Sequence, residues 1–275
     1  MIEINKNYNE SNLETMAKMP DNFVDLVVTS PPYDDLRTYN GYCFDFEKVA
    51  TELFRITKDG GVVVWIVDDA TIKGSETGTS FKQALFFKEI GFNLNDTMIW
   101  NKNGFTAVGA LKYRYGQVFE YMFVFSKGIA KTFNPINDRP NKQAGRKQIG
   151  SIRQKDGTTK PKSTNGTITP DFGIRFNVWD VTPENSNTNR CHPAMFPEQL
   201  ANDHIISWSN EGDLVYDPFM GSGTTAKMSI LNDRNWIGSE LSSEYCDMIE
   251  QRIKKALEEK RKEKYLQAQS LFGTE

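Results

Sequence analysis

The alternation of short apolar runs with helical segments is the feature that most constrains the fold of this chain. Before the second run, a helical stripe of Phe46, Val49, Leu53 and Ile56 is followed by Gly60-Gly61. Such an alternation predicts a parallel sheet covered by helices. The runs, rich in β-branched residues, are Val24 to Val28, Val62 to Val67, Thr97 to Trp100, Tyr121 to Phe125, Leu214 to Tyr216 and Trp236 to Ile237.

A change of texture divides the chain into three parts. Gly, Pro, Asn, Thr and Lys dominate from Lys127 to about Thr188, where only Ile168 to Val178 is typical of a strand. Helical patterns return from Pro197 to about Trp208, over Ala226 to Leu231 and from Ser242 onward. We therefore expect one α/β domain, built from residues 1–127 and 189–275, with an insertion at 128–188.

The net charge of −3 is unevenly distributed. Ten basic and three acidic residues lie between Gly128 and Phe176, a charge of +7, which leaves −10 for the remainder. A flexible basic linker and a nucleic-acid contact both fit this composition.

Several classes are disfavoured by the composition. No apolar run approaches the ~20 residues of a membrane span, and the amino-terminal residues lack the pattern of a signal peptide, so we expect a cytoplasmic protein with no membrane contact. Cys43, Cys191 and Cys246 are far apart in sequence, so we expect reduced thiols and no structural metal.

The first motif is Thr29-Ser30-Pro31-Pro32-Tyr33, directly after an apolar strand. Ligands bind beyond the carboxyl ends of strands in open α/β sheets. The two prolines fix the backbone, so the carbonyls of Ser30 and Pro31 become rigid acceptors, and Tyr33 offers an aromatic face. Rigid acceptors and a stacking ring suit a planar base held by its amino group.

The second motif runs from Asp217 to Thr225, in the order strand, glycine loop, helix, strand, acid. Gly221 and Gly223 let the backbone approach a ligand, and the next strand ends near Glu240, which suits ribose hydroxyls. The position of a third glycine is occupied by Ala226, which disfavours a dinucleotide site, and no Gly-Lys-Ser/Thr follows, which excludes a P-loop. A third string, His192 to Leu200, is structural by physics alone, with Pro197 placed to start a helix.

In this order, the three strings resemble the β-type amino-group DNA methyltransferases, in which the catalytic motif precedes the target-recognition region and the cofactor motif comes last. Ser30-Pro31-Pro32-Tyr33 matches the family's catalytic motif, and Asp217 to Thr225 its cofactor loop. His192 to Leu200 matches the motif for the methionine end of the cofactor. Lys58 to Gly61, Ile99 to Lys102 and Glu120 to Lys127 are similar to the family's remaining strands.

The resemblance implies a Rossmann-like, seven-stranded methyltransferase sheet, circularly permuted, with a small basic target-recognition insertion. The amino-terminal strand would lie at one edge and the strand before Asp217 at the centre. S-adenosylmethionine would be the cofactor and double-stranded DNA the substrate. The implied catalytic residues are Ser30, Pro31, Pro32 and Tyr33; the implied cofactor-binding residues are Asp217, Pro218, Phe219, Gly221, Ser222, Gly223, Thr224, Thr225, Glu240, His192, Pro193, Ala194, Phe196 and Pro197; the DNA-binding candidates are Lys142, Arg146, Lys147, Arg153, Lys155, Lys160 and Lys162.

Alternatives stay open at this point. Serine before Pro-Pro-Tyr is more typical of cytosine N4 enzymes, yet it also occurs among adenine N6 enzymes. A catalytically inactive DNA-binding partner, an RNA methyltransferase and, more weakly, a dinucleotide oxidoreductase are further alternatives. A ring-carbon cytosine enzyme needs a nucleophilic cysteine, typically after proline, and no cysteine here follows proline. A restriction endonuclease in a separate chain, a homodimer and association with the nucleoid are open as well.

Overall fold

A computed structural model describes residues 2–32, 44–104, 112, 114–183 and 197–272. The chain forms two compact units: Met1–Asn134 with Asn177–Glu275, and Pro135–Phe176. The strands are β1 (Lys6–Tyr8), β2 (Val24–Thr29), β3 (Thr57–Val67), β4 (Thr71–Ile72), β5 (Ser75–Glu76), β6 (Asn93–Asn101), β7 (Phe119–Ser126), β8 (Arg139–Pro140), β9 (Ser151–Arg153), β10 (Thr159–Pro161), β11 (Phe172–Gly173), β12 (Val178–Asp180), β13 (Leu214–Asp217) and β14 (Asn235–Ser239). The helices are α1 (Asn12–Ala17), α2 (Phe46–Ile56), α3 (Thr79–Glu89), α4 (Glu198–Trp208), α5 (Thr224–Leu231) and α6 (Ser243–Phe272).

One eight-stranded sheet organises the larger unit, in the order β1-β14-β13-β2-β3-β7-β6-β12. The α/β fold with a large central sheet is confirmed, and β1 lies at an edge as expected. The expectation of seven strands is wrong, because β12 adds an outer parallel strand beside β6. β13 is the third strand from the β1 edge, and the middle of the sheet is the β2–β3 pair.

The predicted parallel pairing holds for five of the seven strand pairs of this sheet. The exception is β7, which runs antiparallel to both of its neighbours, β3 and β6. An apolar run predicts a strand but carries no information about its direction. The antiparallel course of β7 brings its amino end, Phe119, to the edge where the parallel strands have their carboxyl ends.

Both faces of the sheet are buried, as the continuous apolar runs require. Alternate residues of β3 point to opposite sides. Val63 and Trp65 pack in one core with residues of α2 and α3, while Val64 packs in a second core with residues of α4. The central strands are therefore held rigidly between two helical layers.

The predicted helices at 46–56, 197–208, 226–231 and from 242 onward correspond to α2, α4, α5 and α6. The strand expected over Ile168 to Val178 is wrong as a continuous element, since this stretch contains only β11, the first residue of β12 and a single bridge at Ile168. Short exposed pairings leave a weak apolar pattern, which explains the error.

The smaller unit, Pro135–Phe176, contains two antiparallel strand pairs, β8 with β11 and β9 with β10. None of its residues is buried. It is shorter than the predicted insertion of 128–188, because residues 128–134 and 177–183 belong to the larger unit.

Candidate active site

The candidate site lies at the carboxyl edge of the sheet, where β13 and β2 are neighbours. From β13 the chain continues through α5 to β14 on one side, and from β2 it continues through α2 to β3 on the other. A reversal of this kind opens a crevice at the strand ends, and ligands bind in such crevices. Two of the sequence motifs begin at this point of the sheet.

The predicted catalytic string leaves β2 at Thr29. Ser30 is half-buried and Pro31 is buried, so both are held against the body of the protein. Tyr33, predicted to stack on the base, lies outside the described residues. The structure therefore places the acceptors of the motif at the sheet edge, and the part assigned to Tyr33 stays a prediction.

A buried hydrogen-bond network joins the two motifs. Thr29 Oγ1 donates to Asp217 Oδ1 at 2.7 Å, and Thr225 Oγ1 donates to Asp217 Oδ2 at 2.7 Å. The backbone N–H of Phe219 also donates to Oδ1, at 3.0 Å. Burial raises the pKa of Asp217, and the three donors oppose that effect. Asp217 thus fixes the end of β2, where the predicted catalytic string begins, beside the glycine loop. Its contact with the cofactor stays a prediction.

The glycine loop requires its glycines. Gly221 and Gly223 adopt positive φ angles of 53° and 84°, which disfavour residues with a Cβ. A Cβ on Gly223 would lie 3.1 Å from Cγ1 of Ile249 in α6. The loop is therefore a tight turn pressed between β13 and α6.

Glu240, at the end of β14, connects the loop to the neighbouring strand. Its Oε2 accepts the N–H of Gly221 at 2.9 Å, and its Oε1 accepts the N–H of Ser242 at 2.8 Å. Burial raises its pKa, against the effect of these backbone donors. Each carboxylate oxygen keeps a second lone pair, so the geometry fits the predicted contact with ribose hydroxyls.

Arg252 of α6 is a residue that the sequence motifs did not reveal. Its Nη1 donates to Ser222 Oγ at 2.8 Å, to Ser222 O at 3.1 Å and to Thr224 Oγ1 at 3.2 Å. Its Nη2 donates to Oε1 of Glu198 at 2.6 Å, and Lys227 Nζ donates to the same carboxylate at 2.8 Å. Although burial opposes them, these two cations lower the pKa of Glu198.

A second cluster that the sequence analysis missed lies beyond β3 at the same edge. Asp68 directly follows β3, and its Oδ1 accepts the N–H of Asp69 at 2.8 Å. Lys102 Nζ lies 2.7 Å from Glu120 Oε1 and 3.8 Å from Asp68 Oδ2. Burial raises the pKa of Asp68 to about 6. Because the strands that bring these residues together are far apart in sequence, no local pattern announces the cluster.

The third motif is described only in part. Pro197 precedes the first residue of α4, as predicted. His192, Pro193, Ala194 and Phe196 lie outside the described residues, so their contacts with the methionine end of the cofactor stay predictions.

The candidate DNA-binding residues all belong to the smaller unit, and each of them is exposed. They are Lys142, Arg146, Lys147, Arg153, Lys155, Lys160 and Lys162. Exposure is necessary for phosphate contacts, and their part in binding DNA stays a prediction.

A cavity of about 390 Å³ lies at the opposite edge of the sheet, at the amino ends of β2 and β3. Two of its charged groups, Asp25 and Lys58, serve the fold: Asp25 Oδ2 accepts Lys58 Nζ at 2.7 Å and the N–H of Leu214 at 3.0 Å. We assign the chemistry to the carboxyl edge.

Over the described residues, no cluster of three or more His, Cys, Asp or Glu side chains is arranged to hold a metal ion. Within the same ranges, no helix is both long and apolar enough to cross a membrane.

Comparison with known proteins points to one family. A family model described as DNA methylase, of the N6 and N4 type, matches residues 24–251. The orphan methyltransferase M.BamHII of Bacillus amyloliquefaciens is 57% identical over 238 residues, which cover 84% of this chain and 89% of the relative.

Solved structures show the same architecture. The cytosine-N4-specific PvuII DNA methyltransferase superposes with a TM-score of 0.67 at 22% identity, covering 90% of this chain and 85% of the other. The complex of M1.HpyAVI with SAM gives a TM-score of 0.59 at 21% identity, covering 90% of this chain and 98% of the other. At these identities the likeness concerns the fold.

Proposed function

Because this chain belongs to the family of DNA methylases that modify exocyclic amino groups, we propose that its target is N4 of cytosine in duplex DNA. The enzyme is an S-adenosylmethionine-dependent DNA amino-methyltransferase. Ser30 supports the choice of cytosine, since serine before Pro-Pro-Tyr is more typical of the cytosine N4 enzymes that the motif resembles. Adenine N6 is the second candidate.

The 2.7 Å hydrogen bond between Thr29 and Asp217 is the observation that supports a single transfer site most strongly. It holds the acceptors that follow Thr29 beside the loop that follows Asp217. Proximity and orientation of this kind can lower a barrier by roughly 7–11 kcal/mol. No strong base or metal ion is needed for such an effect.

The residues of the site fit the cofactor. Glu240 would accept hydrogen bonds from the ribose hydroxyls. Phe219 is a half-buried aromatic residue of the loop, in edge contact with Phe44 at 5.1 Å between centroids. When bound, S-adenosylmethionine supplies an electrophilic methyl group on sulfur. Asp217, Glu240 and the glycine loop would orient it toward the end of β2.

The amino nitrogen of a base is a weak nucleophile, because its lone pair is delocalised into the ring. The Ser30 hydroxyl and the Pro31 carbonyl would accept its hydrogens and draw the nitrogen toward tetrahedral geometry. The nitrogen would then attack the methyl group that the bound cofactor supplies, the sulfur would leave with the bonding electrons, and one amino proton would pass to solvent. Tyr33 would stack on the base, which must leave the duplex to reach the site.

Nucleoside analysis tests the proposal. Unmethylated genomic DNA is treated with the enzyme and methyl-labelled S-adenosylmethionine, digested, and examined by mass spectrometry. Label in N4-methylcytosine supports the proposal, while label in N6-methyladenine assigns the other base. Cofactor binding without label in DNA would favour an inactive partner, and label in RNA would favour an RNA substrate.

The smaller unit is proposed as the target-recognition element and residues 128–188 as the segment that presents it. A cognate restriction endonuclease, a homodimer and residence in the cytoplasm or at the nucleoid stand as proposals too. Co-purification with an adjacent nuclease, sedimentation and cell fractionation test these three in turn.

A further inference from the structure

The smaller unit is one long β-hairpin, a ribbon of two antiparallel strands. Its base is the hydrogen bond from the N–H of Arg175 to Ile136 O, at 2.9 Å. The pairs β8–β11 and β9–β10 continue the same antiparallel course. The ribbon closes where the N–H of Gln154 donates to Thr158 O at 2.7 Å. All residues between Ile136 and Arg175 thus belong to the two strands of this ribbon or to the turns along them.

Two turns interrupt the ribbon, one on each strand: 141–145 faces 169–171, and 162–166 faces 148–150. The Asn165 side chain ties the second turn to the facing strand: its Nδ2 donates to Gly150 O, and its Oδ1 accepts the N–H of Gly150, both at 2.8 Å. Beyond these turns, residues 150–154 face 158–162 as a distal segment.

A two-stranded ribbon without a buried residue is marginally stable in water, and natural proteins cover such strands. Apolar side chains remain uncovered along this unit, with Ile149 exposed to 87% and Ile152 to 51%. The unit carries nine basic and three acidic residues, a charge of +6. A polyanion is therefore the partner that its charge selects.

Two of the nine basic residues serve the ribbon itself. Arg175 pairs with Asp138, and Arg139 stacks on Phe176 with its guanidinium carbon 4.4 Å from the ring centroid. Across the residues that the structure describes, none of the other seven lies within 4.0 Å of a carboxylate. These seven are the candidate DNA-binding residues.

The dimensions of the distal segment match a DNA groove. Five residues from 150 to 154 span roughly 16 Å at a rise of about 3.3 Å per residue. The major groove is about 12 Å wide and admits a two-stranded ribbon. Asp156, at the tip, has its Oδ1 engaged by Thr158 N–H at 3.0 Å and Thr158 Oγ1 at 2.7 Å.

The faces of the distal segment differ in chemistry. Side chains alternate along a strand, and Arg153 is directly paired with Thr159, so these two lie on one face with Ser151. Ile152 is paired with Lys160 on the other face. The first face carries the planar guanidinium of Arg153 beside the hydroxyls of Ser151 and Thr159. A guanidinium can donate two hydrogen bonds to guanine, and hydroxyls can contact neighbouring bases. The second face carries a point charge, which suits phosphate.

We propose that the distal segment enters the major groove of the target DNA, with Arg153 reading a guanine and Lys160 contacting phosphate. This rests on the proposed function, in that the smaller unit serves as the target-recognition element. The distal segment and the Arg153 side chain would then determine which DNA sequence is methylated.

The test compares Arg153→Ala with Lys160→Ala, which remove the same charge from neighbouring positions on opposite faces. Each full-length variant methylates unmethylated genomic DNA, and single-molecule sequencing of modified bases gives the methylated sequence. Arg153→Ala should lose roughly 5- to 150-fold of its discrimination at one guanine-containing base pair. Lys160→Ala should still methylate the wild-type recognition sequence but bind all DNA more weakly. The slope of log DNA affinity against log salt concentration should become shallower by about one.

Two further variants complete the design. Arg153→Lys keeps the positive charge but loses the planar guanidinium, so it should relax the sequence specificity at the same base pair. Lys262 is an exposed lysine of α6, and Lys262→Ala should change neither the methylated DNA sequence nor the salt dependence of DNA affinity. An unchanged methylated sequence in Arg153→Ala, or a uniform loss on all sequences like that of Lys160→Ala, would overturn the proposal. Failure of the proposed function is distinct, because the wild-type enzyme would then methylate adenine N6, or bind S-adenosylmethionine yet methylate no DNA.

Discussion

Asp217 is a carboxylate enclosed by protein, and three donors replace the water it has lost. Two of them are hydroxyls, from Thr29 and Thr225, and the third is the N–H of Phe219. A buried charge is costly unless it is hydrogen-bonded. At the scale of the residue, then, the site depends on small hydroxyl side chains as much as on the motif residues.

Thr29→Val tests this dependence. The change leaves a buried carboxylate oxygen with one donor fewer, which should lower the free energy of unfolding by about 1–3 kcal/mol and raise the pKa of Asp217 further. Thr51→Val is the matched control, because that hydroxyl donates to Glu47 O on an exposed helix surface. Urea unfolding measures both, and equal losses in the two variants would contradict the account.

Asp68 gives the molecule a predictable response to pH. Its pKa is raised to about 6 in the folded protein because burial disfavours the carboxylate. The folded state therefore binds this proton more tightly than the unfolded state, and protonation stabilises it. Stability contributed by Asp68 is gained as the pH falls from about 7 to about 4 and is absent above the folded pKa.

Asp68→Asn removes the titrating group and keeps the shape. Wild type should become more stable relative to this variant as the pH falls, by up to about 3 kcal/mol between pH 7.5 and 4. Chemical unfolding across that range, with the exposed Glu89→Gln as the charge control, measures the difference. A constant difference between wild type and Asp68→Asn at every pH would exclude the assigned shift.

At the scale of elements, α6 supports the glycine loop through two residues one turn apart. Ile249 lies against Gly223, and Arg252 holds Ser222 and Thr224. A helix outside the sheet thereby sets the shape of the loop that begins α5. We infer that α6 contributes to cofactor affinity without contacting the transferred methyl group.

Arg252→Ala should raise the KM for S-adenosylmethionine about ten-fold and leave kcat at saturating cofactor nearly unchanged, since the loop is loosened while the acceptors on β2 stay in place. Lys255→Ala, an exposed lysine of the same helix, should have wild-type kinetics. A loss confined to kcat would place Arg252 in the chemical step and refute the inference.

Helices and strands could be predicted from sequence where burial requires apolar residues at particular positions. β2 and β3 are buried on both faces, so their apolar runs were recognisable. α3 was missed because its buried positions include Ser80, Gln83 and Ala84, while Leu85 is 66% exposed. The direction of β7 and the addition of β12 arise from packing between distant segments, which no local pattern records.

The same distinction holds for the site. Ser30, Pro31 and the glycine loop could be predicted as site residues from sequence, because each motif is contiguous in the chain. Arg252 and Asp68 were missed because their partners come from other elements, brought together only by the fold. The contacts of Tyr33 and His192 lie outside the described residues.

At the scale of the whole molecule, charge is segregated. The smaller unit carries +6, which leaves −9 for the rest of a chain of net charge −3. We therefore expect the electrostatic attraction to DNA to come mainly from the smaller unit, and the acidic remainder to limit non-specific coating of nucleic acid.

Salt should therefore act on DNA binding alone. Six to ten phosphate contacts lose roughly 10³–10⁵ in affinity between 50 and 200 mM salt. If the six candidate basic residues other than Arg153 make such contacts, the DNA affinity should fall about 10³-fold over this range while the S-adenosylmethionine affinity stays constant. Fluorescence anisotropy and calorimetry measure the two, and a parallel fall of both affinities would contradict this separation.

Across the whole molecule, we propose that the acceptors at the end of β2 and the loop after β13 act together as one methyl-transfer site. A single-turnover assay, with enzyme saturated by labelled S-adenosylmethionine and mixed with unmethylated DNA, isolates that step for wild type and Ser30→Ala. We expect the transfer rate to be at least ten-fold lower in Ser30→Ala, with the dissociation constant for S-adenosylmethionine unchanged. An unchanged transfer rate would contradict the proposal.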